Sequence, residues 1–457
     1  MSADRRGPLQ LDQDVRVLGA GRVLLGGDPG RLVRLSGAGA AVLSALDDLC
    51  TPAQQALGRR LLDGGLVHPV PGPVEPADVT VLVPVRDRAD ELDRCLAALG
   101  AGVPVLVVDD GSDDPAALAR VCAGRARLLR LPVNGGPGAA RNAGLAATGT
   151  GIVAFLDSDC TPGPDWLTEL LGHFADPSVA AVAPRVRAAG GPSLLARYAR
   201  ARGPLDLGPR PARVRPGGRV PYVPTAALLV RRSALPARPF EPGLRYGEDV
   251  DLVWRLHDAG GVVRYDPRTV VGHAEPARWS RWLARRYRYG TSAAPLAARH
   301  GDRLAPLVLP PWPTAAWLLL LAGQPGPALA VAAVPVVRLL RALRRTGLPI
   351  STCGRAAAAT VARGMAATAG GLGGAGAVVT GPLLLGMLAL RRTRPAAATA
   401  LLVPPLLEWY DRRPAVDPVR WAALRLVDDL AYAAGVWRGC LAARTLAPLR
   451  PRTRRPG

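Results

Sequence analysis

The sequence predicts an α/β protein: a mostly parallel, Rossmann-like sheet, preceded by a small winged-helix-like module and followed by a helical, membrane-associated region. Three observations lead there. Apolar runs of strand length alternate with amphipathic stretches from residue 79 to about 160. Acidic residues recur where those runs end. The texture changes on either side, at a Pro-rich linker before residue 79 and at long uncharged runs after residue 303.

Taken in order, "VRVLGAGRVLLGGDPGRLVRL" reads as short strands around Gly-rich turns, and two short helices follow, the second started by Thr51-Pro52. Pro69, Pro71, Gly72, Pro73 and Pro76 end this module, placed at 1–75. Then "VTVLVPV" (79–85) is a buried strand, "ADELDRCLAALG" a helix, "VPVLVVDDG" a strand and "PAALARVCA" a helix. "ARLLRLP" is a strand, "GPGAARNAGLAAT" a helix and "GIVAFLDSD" a strand. Continuous apolar strands separated by amphipathic helices indicate a parallel sheet covered on both faces. Ligands of such sheets bind at the carboxyl ends of the strands.

Composition restricts the partners. The formal charge of the 457 residues is +22, distributed as −1 over 1–78, +8 over 79–302 and +15 over 303–457. The near-neutral first module lacks the basic face that nucleic-acid binding needs, so no nucleic-acid partner is expected. Cysteines 50, 95, 122, 160, 353 and 440 form no CxxC, and no secretory signal precedes the first polar residues. A reducing, cytosolic setting for the first three hundred residues is therefore expected, and a His/Cys zinc site is not.

The strand-end acids carry the chemistry. Asp109 and Asp110 close the second strand of this series, and Asp157 and Asp159 the fourth. Between them "NGGPGAARN" sets glycines at a helix start and Arg141 in its first turns, where both the helix N-terminus and the guanidinium favour an anion. Acids this close are costly unless a hard cation, Mg²⁺ or Mn²⁺, neutralises them, and such cations commonly take further oxygens from substrate phosphates. Glu248 and Asp249 open a helix whose Leu252, Val253 and Leu256 can pack inward, a position that favours negative charge.

"VPVRD", "VVDDGS", "NGGPGAARN", "FLDSDC" and "YGEDVDLVWRL" together resemble the successive motifs of family 2 glycosyltransferases with the GT-A fold, over about residues 79–300. The resemblance implies a sugar-nucleotide site lined by Pro84, Val85, Arg86, Asp109, Asp110, Arg141 and Asp157, with Asp109 or Asp110 on the uracil or ribose. It implies a metal held by Asp157 and Asp159, with His273 of "VVGHAEP" as a further ligand. Asp249, beside Glu248, would be the general base for an acceptor hydroxyl, and a single in-line displacement would invert the anomeric centre. Asp87 stands where many members have Asn. "RWSRWLARRYRYG" resembles the QxxRW element of processive members, with Arg278 in place of Gln, and implies that Arg281 and Trp282 lie near diphosphate or acceptor. Over most of the chain the pattern resembles the mycofactocin-system glycosyltransferases of actinobacteria. That implies UDP-glucose as donor, a peptide-derived small-molecule acceptor, and a β-1,4-linked product.

The Arg/Trp/Tyr mixture of 278–290 also fits a helix in a membrane interface. No charge occurs from Leu304 to Val337, where "GQPGP" interrupts one long or two short spans, nor from Met365 to Leu390. The proline-broken "ATALLVPPLLEW" carries no assignment, and "WAALRLVDDLAYAAGVW", with Asp428 and Asp429, is expected to be interfacial or packed on protein. The region 301–457 is thus expected to attach the enzyme to the cell membrane with its catalytic domain facing the cytoplasm. The rival readings are a polyprenyl-phosphate glycosyltransferase and a non-enzymatic basic scaffold.

Overall fold

The computed structural model describes residues 8–304 and 308–453. The chain divides into two compact units, Met1–Pro276 and Ala277–Gly457.

Unit 1 opens with the small module: β1 (Leu9–Leu11), β2 (Arg16–Leu18), β3 (Val23–Gly26), β4 (Arg31–Arg34), α1 (Gly37–Val42), α2 (Pro52–Asp63) and β5 (Val67–Pro69). Strands β2, β3 and β4 form an antiparallel meander, and β5 returns to pair with β1. Ser36 caps α1 through the Gly39 N–H. Thr51 and Gln54 form a reciprocal capping box on α2, a device that stabilises by about 1 kcal/mol. Leu24, Leu61, Leu66 and Val67 are almost fully buried and give the module its own core.

The sheet that follows comprises β6 (Val79–Val85), β7 (Val105–Asp110), β8 (Arg127–Leu131), β9 (Ile152–Leu156), β10 (Cys160–Pro162), β11 (Val179–Ala188), β12 (Ala212–Val214), β13 (Ala227–Arg231) and β14 (Val262–His273). Its helices are α3 (Ala89–Leu99), α4 (Pro115–Cys122), α5 (Pro137–Ala146), α6 (Trp166–Leu171), α7 (Leu194–Arg202) and α8 (Glu248–Asp258). Every strand and helix expected between residues 79 and 156 is present.

Strands β8, β7, β6 and β9 run parallel, as the crossover helices between them require. The sheet is mixed and mostly parallel: β6, β7, β8, β9, β11 and β14 run one way, and β10, β12 and β13 the other. β13 inserts antiparallel between β9 and β11, and β10 and β12 run antiparallel on β14. The reason is connectivity. β13 follows a long excursion through α7 and β12 and re-enters the sheet from the opposite end, and its "ALLVR" has the same apolar texture as a parallel strand.

The GT-A-like core is continuous. Val81, Val83 and Val107 on the strands meet Leu92 and Leu96 of α3 and Leu170 of α6, all 3% exposed or less. On the other face α5 lies close to β6, where a β-carbon on Gly144 would collide with the Leu82 side chain.

Unit 2 is helical: α9 (Trp279–Thr291), α10 (Ala293–His300), α11 (Pro311–Leu321), α12 (Pro325–Arg344), α13 (Ile350–Val379), α14 (Gly381–Ala389), α15 (Arg394–Arg412) and α16 (Pro418–Ala442). The uncharged run after Leu304 forms two helices, broken before Pro325 as "GQPGP" anticipates, and the run from Met365 is broken at Thr380. "ATALLVPPLLEW" lies inside α15 despite Pro404 and Pro405. Helix α9 packs along α16, where Gly290 and Gly435 allow the two backbones to touch. Asp428 is buried, accepting hydrogen bonds from Trp282 Nε1 at 2.9 Å and Arg286 Nε at 2.8 Å, so "LVDDLAY" packs on protein. Among the described residues, one helix, Pro325–Arg344, is long and apolar enough to cross a membrane, and little of it is covered within unit 2.

Gly144→Ala is expected to destabilise unit 1 by about 1–3 kcal/mol through overpacking against Leu82. In a thermodynamic cycle by chemical denaturation, the double variant with Leu82→Ala should lose less than the sum of the single losses.

Candidate active site

Proposed site residues converge at the carboxyl ends of β6, β7 and β9 and at the first turns of α5 and α8. Pro84 and Val85 are the buried last residues of β6, and Arg86 is exposed. Asp87 then adopts φ +53°, a conformation Asp tolerates better than most residues. Its N–H donates to Ser112 Oγ at 3.0 Å, and its carboxylate accepts from the Asp113 N–H at 2.7 Å. The turn directs Arg88 towards β9, where its Nη1 lies 2.5 Å from Asp159 Oδ2.

The two acids ending β7 behave differently. Asp110 accepts from the N–H groups of Gly135 and Gly136, both at 2.8 Å. The glycine turn thus spends these two donors on a carboxylate of the chain itself. Asp109 accepts from the Ser112 N–H at 2.9 Å through Oδ1, while its Oδ2 is buried without a hydrogen-bond partner, 3.7 Å from Arg130. Gly111, between this pair and Ser112, has φ +70°, and a β-carbon there would meet the Asn134 backbone at 2.9 Å. Only glycine satisfies both constraints.

Arg141 is the centre of the site. Its Nη2 donates to Asp157 at 2.7 Å and its Nη1 to Glu248 at 3.0 Å, and its guanidinium lies 5.4 Å from the Phe240 ring centroid. Burial lowers the affinity of this group for its proton, but the two carboxylates outweigh it and the pKa is raised. The neighbouring Asn142 holds the loop carrying Phe240 by two hydrogen bonds to that residue's backbone, at 2.7 and 3.1 Å. Phe240 in turn packs edge-on against Phe155 of β9. One turn of α5 therefore ties the DxD strand to the start of α8.

On α8, Leu252, Val253 and Leu256 face inward, almost fully buried, as expected. Glu248 is buried, and desolvation raises its pKa against the pull of Arg141. Asp249, the next residue, keeps part of its surface open to solvent. Desolvation first, and the Glu248 charge second, push it up to about 7. Its Oδ1 accepts from the Val250 N–H at 2.8 Å.

Asp159 and His273 meet across the β10–β14 pairing, with Nε2 3.4 Å from Oδ1, and Glu275 lies 3.2 Å from the other ring nitrogen. Among the described residues no group of three or more His, Cys, Asp or Glu is placed so as to hold a metal ion. A carboxylate pair and an imidazole at strand ends instead suit an open site for Mg²⁺ or Mn²⁺, completed by phosphate oxygens. Such donors are of the type a hard cation takes, and here Asp157 is held by Arg141 and Asp159 by Arg88.

Arg281 and Trp282 belong to α9 in unit 2, where Trp282 is fully buried and donates to Asp428. Arg88, Phe240 and Ser112 are site residues that the sequence reading does not single out. The position of Arg88 depends on the positive φ of Asp87, for which an Asp or Asn ending a strand is the available signal.

A family model described as "Glycosyl transferase family 2" matches residues 80–236. A Mycobacterium tuberculosis (strain H37Rv) protein named pre-mycofactocin glycosyltransferase is 41% identical, over 98% of this chain and 97% of its own length. The chain belongs to the pre-mycofactocin glycosyltransferases, within family 2. Succinoglycan biosynthesis protein ExoM of Rhizobium meliloti is 34% identical over 43% of this chain and 61% of its own. Among solved structures, a mannosyltransferase from Pyrobaculum calidifontis in complex with GDP-Man and Mn²⁺ aligns with a TM-score of 0.38 and 22% identity, covering 64% of this chain and 88% of that one.

Arg141→Met leaves the buried Glu248 and the half-buried Asp157 without their cation and is expected to lower the stability of unit 1 by about 3 kcal/mol in chemical denaturation. Arg141→Lys should recover only part of this, because an ammonium cannot span both acids as a planar fork does.

Proposed function

We propose that this enzyme transfers glucose from UDP-glucose to a hydroxyl of premycofactocin, with inversion, and extends the product as a β-1,4-glucan. The observation that carries the reading is Asp249: a carboxylate with a pKa near neutrality, on a helix whose preceding acid is tied through Arg141 to the DxD strand. A general base works best when its pKa lies near the working pH.

In this reading Asp109 holds the nucleoside, since its buried Oδ2 can accept from a hydroxyl or N–H of the donor, and Asp110 shapes the glycine turn around it. Arg86 and Val85 border the same strand end. Asp157, Asp159 and His273 would hold Mg²⁺ or Mn²⁺, which when bound would supply positive charge for a diphosphate. Asp249 removes the acceptor proton as that oxygen attacks the anomeric carbon from the face opposite the diphosphate. An α-linked donor therefore gives a β-linked product.

The N-terminal module is assigned to acceptor recognition. It supports this by gripping the strap 210–219, which leads to Pro221, whose carbonyl accepts from Trp254 Nε1 of α8 at 2.7 Å. Helix Pro325–Arg344, whose last turns carry Arg338, Arg341 and Arg344 and which Arg345 ends, is assigned to membrane attachment with the catalytic domain on the cytoplasmic side.

Incubating purified enzyme with UDP-glucose, Mn²⁺ and the acceptor should give repeated hexose additions by mass spectrometry, and Asp249→Asn should cut the rate by at least about 100-fold. Retained activity in that variant would point to an already ionised acceptor such as a lipid phosphate. Because Asp249 is protonated below its raised pKa, kcat/KM should fall as pH drops through about 7. The stability contribution of this raised carboxyl has the opposite trend and is lost as pH rises through that value. Asp249→Asn should therefore leave the thermal midpoint at pH 8 equal to or above that of the parent.

A further inference from the structure

Strand β14 carries a guanidinium that the acids around it leave unmatched. Arg264 is 6% exposed, and its Nε and Nη1 are buried without a hydrogen-bond partner. Its register partner on β12 is Arg213, so two cations stand opposite one another where like charges repel. Arg213 Nε is likewise buried without a partner.

The nearby acids are already engaged. Asp63, at the end of α2, lies 3.2 Å from Arg213 Nη1 and 3.9 Å from Arg59 Nε. Asp176 lies 3.2 Å from Arg59 Nη1 and also accepts from the N–H and hydroxyl of Ser178. Three arginines thus share two aspartates, and the most deeply placed of the three pairs with neither. Burial and the adjacent Arg213 lower Arg264 to about 10, which leaves it a cation at neutral pH.

Buried polar groups in native proteins are paired, and an unpaired one points to a bound water or ion. An uncharged partner would leave the excess charge in place. The planar forks of arginine match the oxygens of phosphate and carboxylate.

We infer that Arg264, Arg213 and Arg59 form a binding site for a small oxyanion of the phosphate or carboxylate type, between α2 of the N-terminal module and the edge of the catalytic sheet. The site is separate from the reacting centre: along β14, Arg264 stands opposite Val182 and His273 opposite Ala188, six rises of the paired strand or about 20 Å apart. A bound anion joins the module to the sheet and makes their attachment depend on anion supply.

Purified full-length protein is titrated with inorganic phosphate, and in a second arm with acetate, at fixed ionic strength by calorimetry and thermal unfolding. The parent should bind phosphate, acetate or both saturably, with a rising thermal midpoint. Arg264→Met should weaken that binding at least tenfold and lose the shift while transferring glucose normally. Arg213→Gln, which keeps the central guanidinium, should weaken it less and guards against misfolding of the first variant. No binding by the parent to either anion, or an equal response in Arg264→Met, would overturn the site.

Discussion

One buried guanidinium allows the acids of this site to exist together. Asp157 comes from the end of a central strand and Glu248 from the start of a helix on a distant part of the chain, and Arg141 bonds to both. Without that cation, desolvation and mutual repulsion would drive the carboxylates to protonate or separate. Arg141 also pulls down the pKa of Asp249, one residue further, but burial and the Glu248 charge outweigh it and the surroundings favour the neutral form. The neighbouring carboxyl is thereby held near the point of ionisation.

Strands and helices from residue 79 to 156 were legible because buried parallel strands are written as unbroken apolar runs and their crossover helices as amphipathic ones. The direction of β13 was not, because "ALLVR" reads alike in either orientation and its neighbours are set by a long excursion. The placing of Asp109, Asp110, Asp157 and Asp159 could be inferred from strand ends, whereas Glu248, at a helix start, entered the site only through the family resemblance. The pairing of Arg141 with Glu248, more than a hundred residues away, could not, and neither could the use of two glycine N–H groups by Asp110. Arg88 was hidden for a local reason: the left-handed turn at Asp87 reverses a side chain that a regular continuation would have sent elsewhere.

In the helical unit, the polar groups on apolar helices have defined partners. Asp428 and Asp429 lie in α16 as a buried i,i+1 pair, and each meets an arginine: Arg286 on α9 for the first, Arg425 on α16 itself for the second. The indoles of Trp317, Trp421 and Trp437 donate to backbone carbonyls of neighbouring helices. Such contacts give register to helices whose Ala- and Leu-rich surfaces would otherwise slide with little penalty. The hydrogen bonds of Asp428 mark α9 and α16 as a packed pair, the second of the two outcomes expected for the α16 segment.

The seam between the small module and the sheet has a further consequence. Asp12 receives both arms of Arg219 and the imidazole of His68; burial would raise its pKa, but these bonds hold it well below the usual carboxylate range. Asp14 and Asp28 similarly engage Arg210 and Arg215. Cutting the module away would convert this zipped junction into a bare cationic ribbon, an adhesive for any polyanion in a cell extract. Charge-reversed swaps, such as Asp12→Arg with Arg219→Asp, keep the junction neutral and are the cleaner way to ask what the module recognises.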